Sequence, residues 1–144
     1  KYLILRQSIG SDIIYDSEKS ISFEGDSGPY LQYSYARAIS VLRKAKAEKI
    51  KAFFKNVPNE ISQLEKYMNY FPEVIEKAGK EHEPHFIVLY LTELAREFNN
   101  YYTNNKIVNK TDEFSPYKVA LTEAFSIIMK NGLWLLGINS LEKM

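Results

Sequence analysis

Tyr30, Tyr33 and Arg37 are the residues whose types and spacing come nearest to chemistry. On a helix turning by about 100° per residue they share one face with Lys44, while Leu31, Tyr35, Ala38, Ile39 and Leu42 share another, roughly 120° away. The second set is the buried stripe, so the first faces outward. Phenol rings offer π-surfaces to unpaired bases, each stacked base being worth about 1–3 kcal/mol, and their hydroxyls reach base edges or phosphate. A guanidinium adds a planar stacking partner or a bidentate fork. The basic continuation through Arg43, Lys44 and Lys51 would follow a phosphate backbone without reading sequence. Such a face suits single-stranded RNA loops. The same aromatics would equally serve as anchors for docking on another protein, with the lysines merely solubilising. Salt separates the two readings, because phosphate binding falls steeply with ionic strength.

Other constellations carry less. The chain has no GxSxG nucleophile elbow and no glycine-rich phosphate loop. Glu81-His82-Glu83-Pro84-His85 sets two imidazoles beside two carboxylates, but Pro84 breaks the backbone between them and a metal would want a third ligand from elsewhere. These residues read as the surface of a helix start. Asn109-Lys110-Thr111 is a glycosylation acceptor only in a secreted chain, and the first residues carry no secretory signal. No catalytic or metal-ligating residue is assigned.

Prolines divide the elements that must position the tyrosine face, each standing at or near a first helical position where its missing N–H costs nothing. The spacing predicts a first helix from about Pro29 into the mid-fifties and a second from Pro58 with Ile61, Leu64, Met68 and Phe71 inward. Pro72 opens a short third with Val74, Ile75 and Ala78 inward. Pro84 opens a fourth with Ile87, Leu91, Leu94, Phe98 and either Tyr101 or Tyr102 on one face. A fifth runs from Ser115 and Pro116 through Ile127 and Ile128 to a Gly132 C-cap, with an apolar stretch at 133–136 before the tail. The fold class is all-α, a bundle of about five helices. Residues 103–113, rich in Asn and Lys, read as an exposed loop. Residues 1–24 read as a connector, with a short strand or helix end at 2–5 and an extended piece around Ile13 to Tyr15.

The 144 residues are 45% apolar and 26% charged, enough for one domain with a real core. The absence of cysteine rules out a disulfide scaffold, a thiolate metal site and a Cys nucleophile. No apolar run approaches the roughly 20 residues needed to cross a bilayer, so no membrane is expected and the compartment is the cytosol. A net charge of +1 conceals segregation: residues 30–55 carry seven basic side chains and one acidic, whereas residues 56–100 carry four basic and eight acidic. One surface is thereby suited to an anion while the remainder stays near neutral. The opening residues read as the interior of a longer protein.

The run Phe23-Glu24-Gly25-Asp26-Ser27-Gly28-Pro29-Tyr30-Leu31-Gln32-Tyr33-Ser34-Tyr35-Ala36-Arg37 strongly resembles the start of the C-terminal helical, or DALR, anticodon-binding domain of the arginyl-tRNA synthetase family. SDIIYDSEKSISFEG looks like the connector leaving a class I catalytic domain, FPEVIEKAGKEHEPHFIVLYLTELAREFNNYY is similar to the middle helices, and LLGINSLEKM to the family's C-terminus. The resemblance implies a 25–144 domain that holds the anticodon stem-loop of arginine tRNA, with the middle anticodon base, cytosine, read at its Watson–Crick edge. Tyr30, Tyr33 and Arg37 fall on the family's anticodon-contacting positions, Met144 on the chain end near the anticodon bases, and Asn104, Asn105 and Lys106 on a loop that approaches them. It further implies a monomeric parent enzyme, an ATP-dependent arginine–tRNA ligase using ATP and Mg, whose catalytic domain is this domain's other partner. The HIGH-like and KMSKS-like signatures that bind ATP are absent from this chain, so arginine activation and its cofactors lie elsewhere. The tetrapeptide that names the domain is not present literally, Val119, Ala120, Leu121 and Thr122 being the nearest stretch, and Ser34-Tyr35 stands where many relatives have a small residue and His. Tyr35 lies on the buried arc, which makes that change one of packing.

Overall fold

A computed structural model describes residues 1–12, 25–54 and 56–144. The extended piece expected at Ile13 to Tyr15 lies outside these residues. Among them the elements are all helical: α1 (Tyr2–Leu5), α2 (Gly28–Ala47), α3 (Gln63–Asn69), α4 (Phe71–Glu81), α5 (His85–Asn104) and α6 (Ser115–Leu135). The expected five-helix bundle is there, and the 2–5 segment is a single helical turn rather than a strand.

Local chemistry sets the helix ends, and three of them differ from the periodicity. Ser27 caps α2 by accepting from the Tyr30 N–H at 3.1 Å, with Pro29 in the first turn. The helix stops at Ala47 instead of the mid-fifties. Lys49 takes a left-handed conformation (φ 59°), its N–H bonding to the Lys46 carbonyl while that of Ile50 reaches the Ala45 carbonyl. This is a Schellman termination carried by a lysine where glycine is usual. Lys51 is consequently off the helix. The second helix starts at Gln63, not Pro58, because Ser62 and Glu65 form a reciprocal capping box. Ile61, expected inward, is 65% exposed. Gly132 is not a C-cap. It lies within α6, which closes five residues later at Gly137 (φ 64°) with Gly137 N–H bonded to the Trp134 carbonyl and Ile138 N–H to that of Leu133. Gly132 is required for another reason: a Cβ there would stand 2.6 Å from Leu91 Cδ2. In the closing turn Leu133 and Leu136 face inward, while Trp134 and Leu135 face out.

The core gathers around α5. Leu91, Leu94 and Phe98 meet Leu31, Tyr35 and Ala38 of α2, and Phe125, Met129 and Leu133 of α6. The Phe98 and Phe125 rings stack 3.9 Å apart. α3 and α4 pack on α5 through Leu64, Ala78 and their neighbours, and α3 also meets α6. Tyr35 is buried, as its arc requires. α1 is tied in as well: Tyr2 is buried with its hydroxyl donating to Asp26 at 2.9 Å and bonded to Thr92 at 3.0 Å, and burial raises its pKa. The 103–113 segment is only partly the exposed loop expected. Ile107 and Val108 are buried against Val41, Ala45 and Val119 in a second cluster, and the buried Ser115 hydroxyl donates to the Ile107 carbonyl at 2.7 Å. Tyr101 joins both clusters, its phenol pushed up to about 12 by burial, while Tyr102 turns outward.

Candidate nucleic-acid interface

The outward side of α2 and the C-terminal half of α5 lie side by side, and the groove between them is closed by the chain's last residues. After Gly137 the tail runs back along α2. Gln32 Nε2 donates to the Asn139 carbonyl at 2.7 Å, and Arg43 donates to the Glu142 carbonyl at 3.2 Å and to its carboxylate at 2.8 Å. Lys1 Nζ donates to the Gly137 carbonyl at 2.7 Å. The tail thus delivers Met144, 53% exposed, to the same groove as Tyr33 and Arg37.

Arg37 is the centre of this site. Its guanidinium lies 4.7 Å from the Tyr33 ring centroid and 4.9 Å from that of Tyr102, a double cation–π contact. One terminal nitrogen donates to the Tyr33 hydroxyl at 3.0 Å and the other to Asn99 Oδ1 at 2.6 Å. Asn99 turns its amide nitrogen to the Tyr30 hydroxyl at 3.1 Å and to Ser34 Oγ at 2.9 Å. Ser34 in turn donates to the Tyr30 carbonyl one helical turn back. The three residues singled out by spacing, on α2, are therefore tied together through one side chain of α5.

The groove, of about 920 Å³, is lined by Tyr33, Arg37, Arg43 and Lys44 from α2 and the following residues, and by Asn104, Asn105 and Lys106 at the end of α5. Most of the expected site residues are brought together. Tyr33 is 37% exposed, but Tyr30 is half-buried and packs against the main core, so the expectation of two bare tyrosines is corrected to one. Arg43 does not project as an isolated cation; Glu142 engages it, which makes it a fastener of the tail. Lys51, beyond the end of α2, lines a separate hollow with Lys49 and Lys110. Asn104 is the last residue of α5, and the Asn105 side chain caps that helix by donating to the Tyr101 carbonyl at 3.0 Å. His82 ends α4 in a left-handed conformation and His85 begins α5 with Nδ1 2.9 Å from Glu83, so the two imidazoles belong to an inter-helix joint. Among the described residues no three His, Cys, Asp or Glu converge as a metal-holding group.

Two contributors were not legible in the spacing of α2. Tyr102 was an alternative for the core face, and its exposure follows only from which side of α5 meets α6. Asn99 left a weak signal: a poor helix former inside an otherwise strong helix, next to the fully buried Phe98.

Residues 31–144 match the family described as the DALR anticodon binding domain. The chain belongs to this family. This DALR domain is 35% identical over 153 residues to an arginine–tRNA ligase of Thermococcus kodakarensis, covering all of this chain and 24% of that protein. It is 37% identical to the arginine–tRNA ligase of Clostridium perfringens, covering 99% of this chain and 26% of that protein. The chain thus spans about a quarter of the length of the curated relatives it matches. Its fold superposes on Thermus thermophilus arginyl-tRNA synthetase with a TM-score of 0.79 at 28% identity, over 99% of this chain and 25% of that one. The Plasmodium falciparum arginyl-tRNA synthetase shares the fold at a TM-score of 0.82, with 23% identity over 99% of this chain and 26% of that one. These similarities give no support to the protein-docking alternative. Val119, Ala120, Leu121 and Thr122 are all buried near the start of α6, where they pack.

Proposed function

We propose that this DALR domain is the anticodon-binding part of a monomeric, cytoplasmic arginine–tRNA ligase, and that its groove seats unpaired bases of the anticodon loop of arginine tRNA. The observation that carries the reading is the convergence of Tyr33, Arg37, Tyr102 and Met144 on one groove next to basic residues. The rings supply π-surfaces for splayed bases. The Tyr30 hydroxyl, already accepting from Asn99, has its own proton to donate to a base edge or phosphate oxygen. The Arg37 guanidinium spends one donor on Tyr33 and one on Asn99, so further N–H groups can serve a base edge or phosphate. Lys44 and Lys106 place positive charge along the rim for the sugar–phosphate chain. Residues 1–24 act as the connector and residues 25–144 as the binding domain. ATP, Mg and arginine belong to the catalytic domain of the parent enzyme.

The test is binding of an unmodified arginine tRNA anticodon stem-loop to the intact ligase across a salt series. Tyr33→Ala is expected to cost about 1–3 kcal/mol, the worth of a stacked base, and Arg37→Ala to weaken binding, lowering the salt slope by roughly one where its contact is to phosphate. Binding of both variants indistinguishable from the parent at every salt concentration overturns the assignment of this face.

A further inference from the structure

We infer that Asn99 is a positioning residue for anticodon discrimination: it sets the guanidinium of Arg37 and the hydroxyl of Tyr30 in the orientation that meets the RNA, without touching the RNA itself. The inference rests on the groove reading above and extends it to a residue of the facing helix, α5, that bonds Arg37. The geometry carries it. A primary amide has one acceptor end and one donor end, and here the acceptor end faces a cation while both N–H groups face hydroxyl oxygens. Flipping the amide would set its N–H groups against the guanidinium, so the arrangement has a single orientation. That orientation has two effects. Arg37 is held from below at 2.6 Å and cannot swing along its four rotatable bonds, which removes ordering entropy that RNA binding would otherwise have to supply. Tyr30 is made an acceptor toward Asn99, so its hydroxyl keeps its own proton for a second acceptor, which favours an acceptor on the ligand. Phe98, the neighbour of Asn99, carries the core contact with Phe125.

The test uses the intact ligase and compares Asn99→Ala, Asn99→Asp, Arg37→Ala and the double variant Asn99→Ala with Arg37→Ala. The readouts are the KM and kcat for arginine tRNA, and the ratio of kcat/KM for the cognate transcript to that for one with the middle anticodon base replaced. Asn99→Ala is expected to raise the tRNA KM by about tenfold, the size of one lost charge-assisted hydrogen bond, with kcat changing by less than about twofold. The discrimination ratio should fall with it, and the double variant should be no worse than Arg37→Ala alone. Asn99→Asp preserves shape and an acceptor for Arg37, but it sets a negative charge against the guanidinium and reverses the bond to Tyr30, whose hydroxyl must then donate to the carboxylate. It should therefore lose discrimination at an unchanged melting temperature, which a merely structural role does not predict. Retention of parental KM and discrimination by Asn99→Asp, or by both Asn99 variants, while Arg37→Ala is impaired overturns the inference and leaves the groove reading standing. A parental Arg37→Ala overturns the groove reading itself.

Discussion

A single methyl group separates tolerated from intolerable at Gly132. Its hydrogen faces the fully buried Leu91 side chain, and an added Cβ would meet Leu91 Cδ2 and Cδ1 at 2.6 and 2.8 Å. Leu91 is enclosed by the main core and has nowhere to retreat. Gly132→Ala should therefore cost about 1–3 kcal/mol, the usual penalty of overpacking, despite alanine's better helix propensity. Thermal unfolding followed by circular dichroism measures the loss; a melting temperature at or above that of the parent would show that α5 and α6 can separate more easily than their packing indicates. The same logic, inverted, applies to Arg37. Its neighbours are not tight but polarisable and polar, and they leave a charged group half-exposed in a defined pose instead of burying it.

At the level of elements, the informative feature is where α2 ends. A helix running into the mid-fifties would carry the basic run onward along one rod, whereas the turn at Lys49 sends Lys51 and Phe53 to a different surface. The turn is made with a residue that is strained in it, since a non-glycine side chain in the left-handed region costs about 1–2 kcal/mol. Part of any gain from glycine is offset by the freer unfolded chain. Lys49→Gly should accordingly stabilise the domain by about 0.5–1 kcal/mol, or about 2 °C in melting temperature. Differential scanning calorimetry is the measurement, and a lowered melting temperature would mean that the lysine side chain contributes more than its backbone strain removes. The Pro29 to Leu42 part of α2 was legible because its buried and outward arcs differ in chemistry. Its end was not, because no glycine or proline marks the turn.

For the molecule as a whole, the carboxylates of Asp112 and Glu83 are among those that fasten peripheral segments to the bundle. Asp112 accepts from Lys118 Nζ at 2.8 Å and from the Phe114 N–H at 2.9 Å, chiefly the former holding its carboxyl below the ordinary range. Glu83 bonds His85 and the Ile9 N–H, with the His85 bond the main cause of its own lowered pKa. Carboxyls depressed in the folded state contribute fully above the unfolded value near 4 and lose that contribution as the pH falls through their folded values. Urea midpoints should therefore hold steady between about pH 5 and 7 and decline below about pH 4. Asp112→Asn should lower stability at pH 7 by about 1 kcal/mol or less, with a smaller difference from the parent at pH 3. Curves that stay parallel at both pH values would assign the 103–113 segment's attachment to Ile107, Val108 and Ser115 instead.

The helical class, the four proline-led starts, the buried arc of α2 and the Tyr30, Tyr33 and Arg37 constellation were all readable from residue order, because each rests on spacing within one helix and on backbone chemistry that acts over a few residues. The GPYLQY…AR block also carried the family. Tertiary structure alone decided that Tyr30 leans into the core while Tyr33 stays out, that Tyr101 and not Tyr102 is the inward ring, and that Arg43 clasps the tail. It alone brought Asn99, 62 residues from Arg37 in the chain, under the guanidinium at 2.6 Å. The reason is physical: local periodicity states which side of a helix is apolar, but the partner of a polar side chain depends on which helix packs against it and at what height. That is settled only when α2, α5 and the tail close on one another around the Phe98 core.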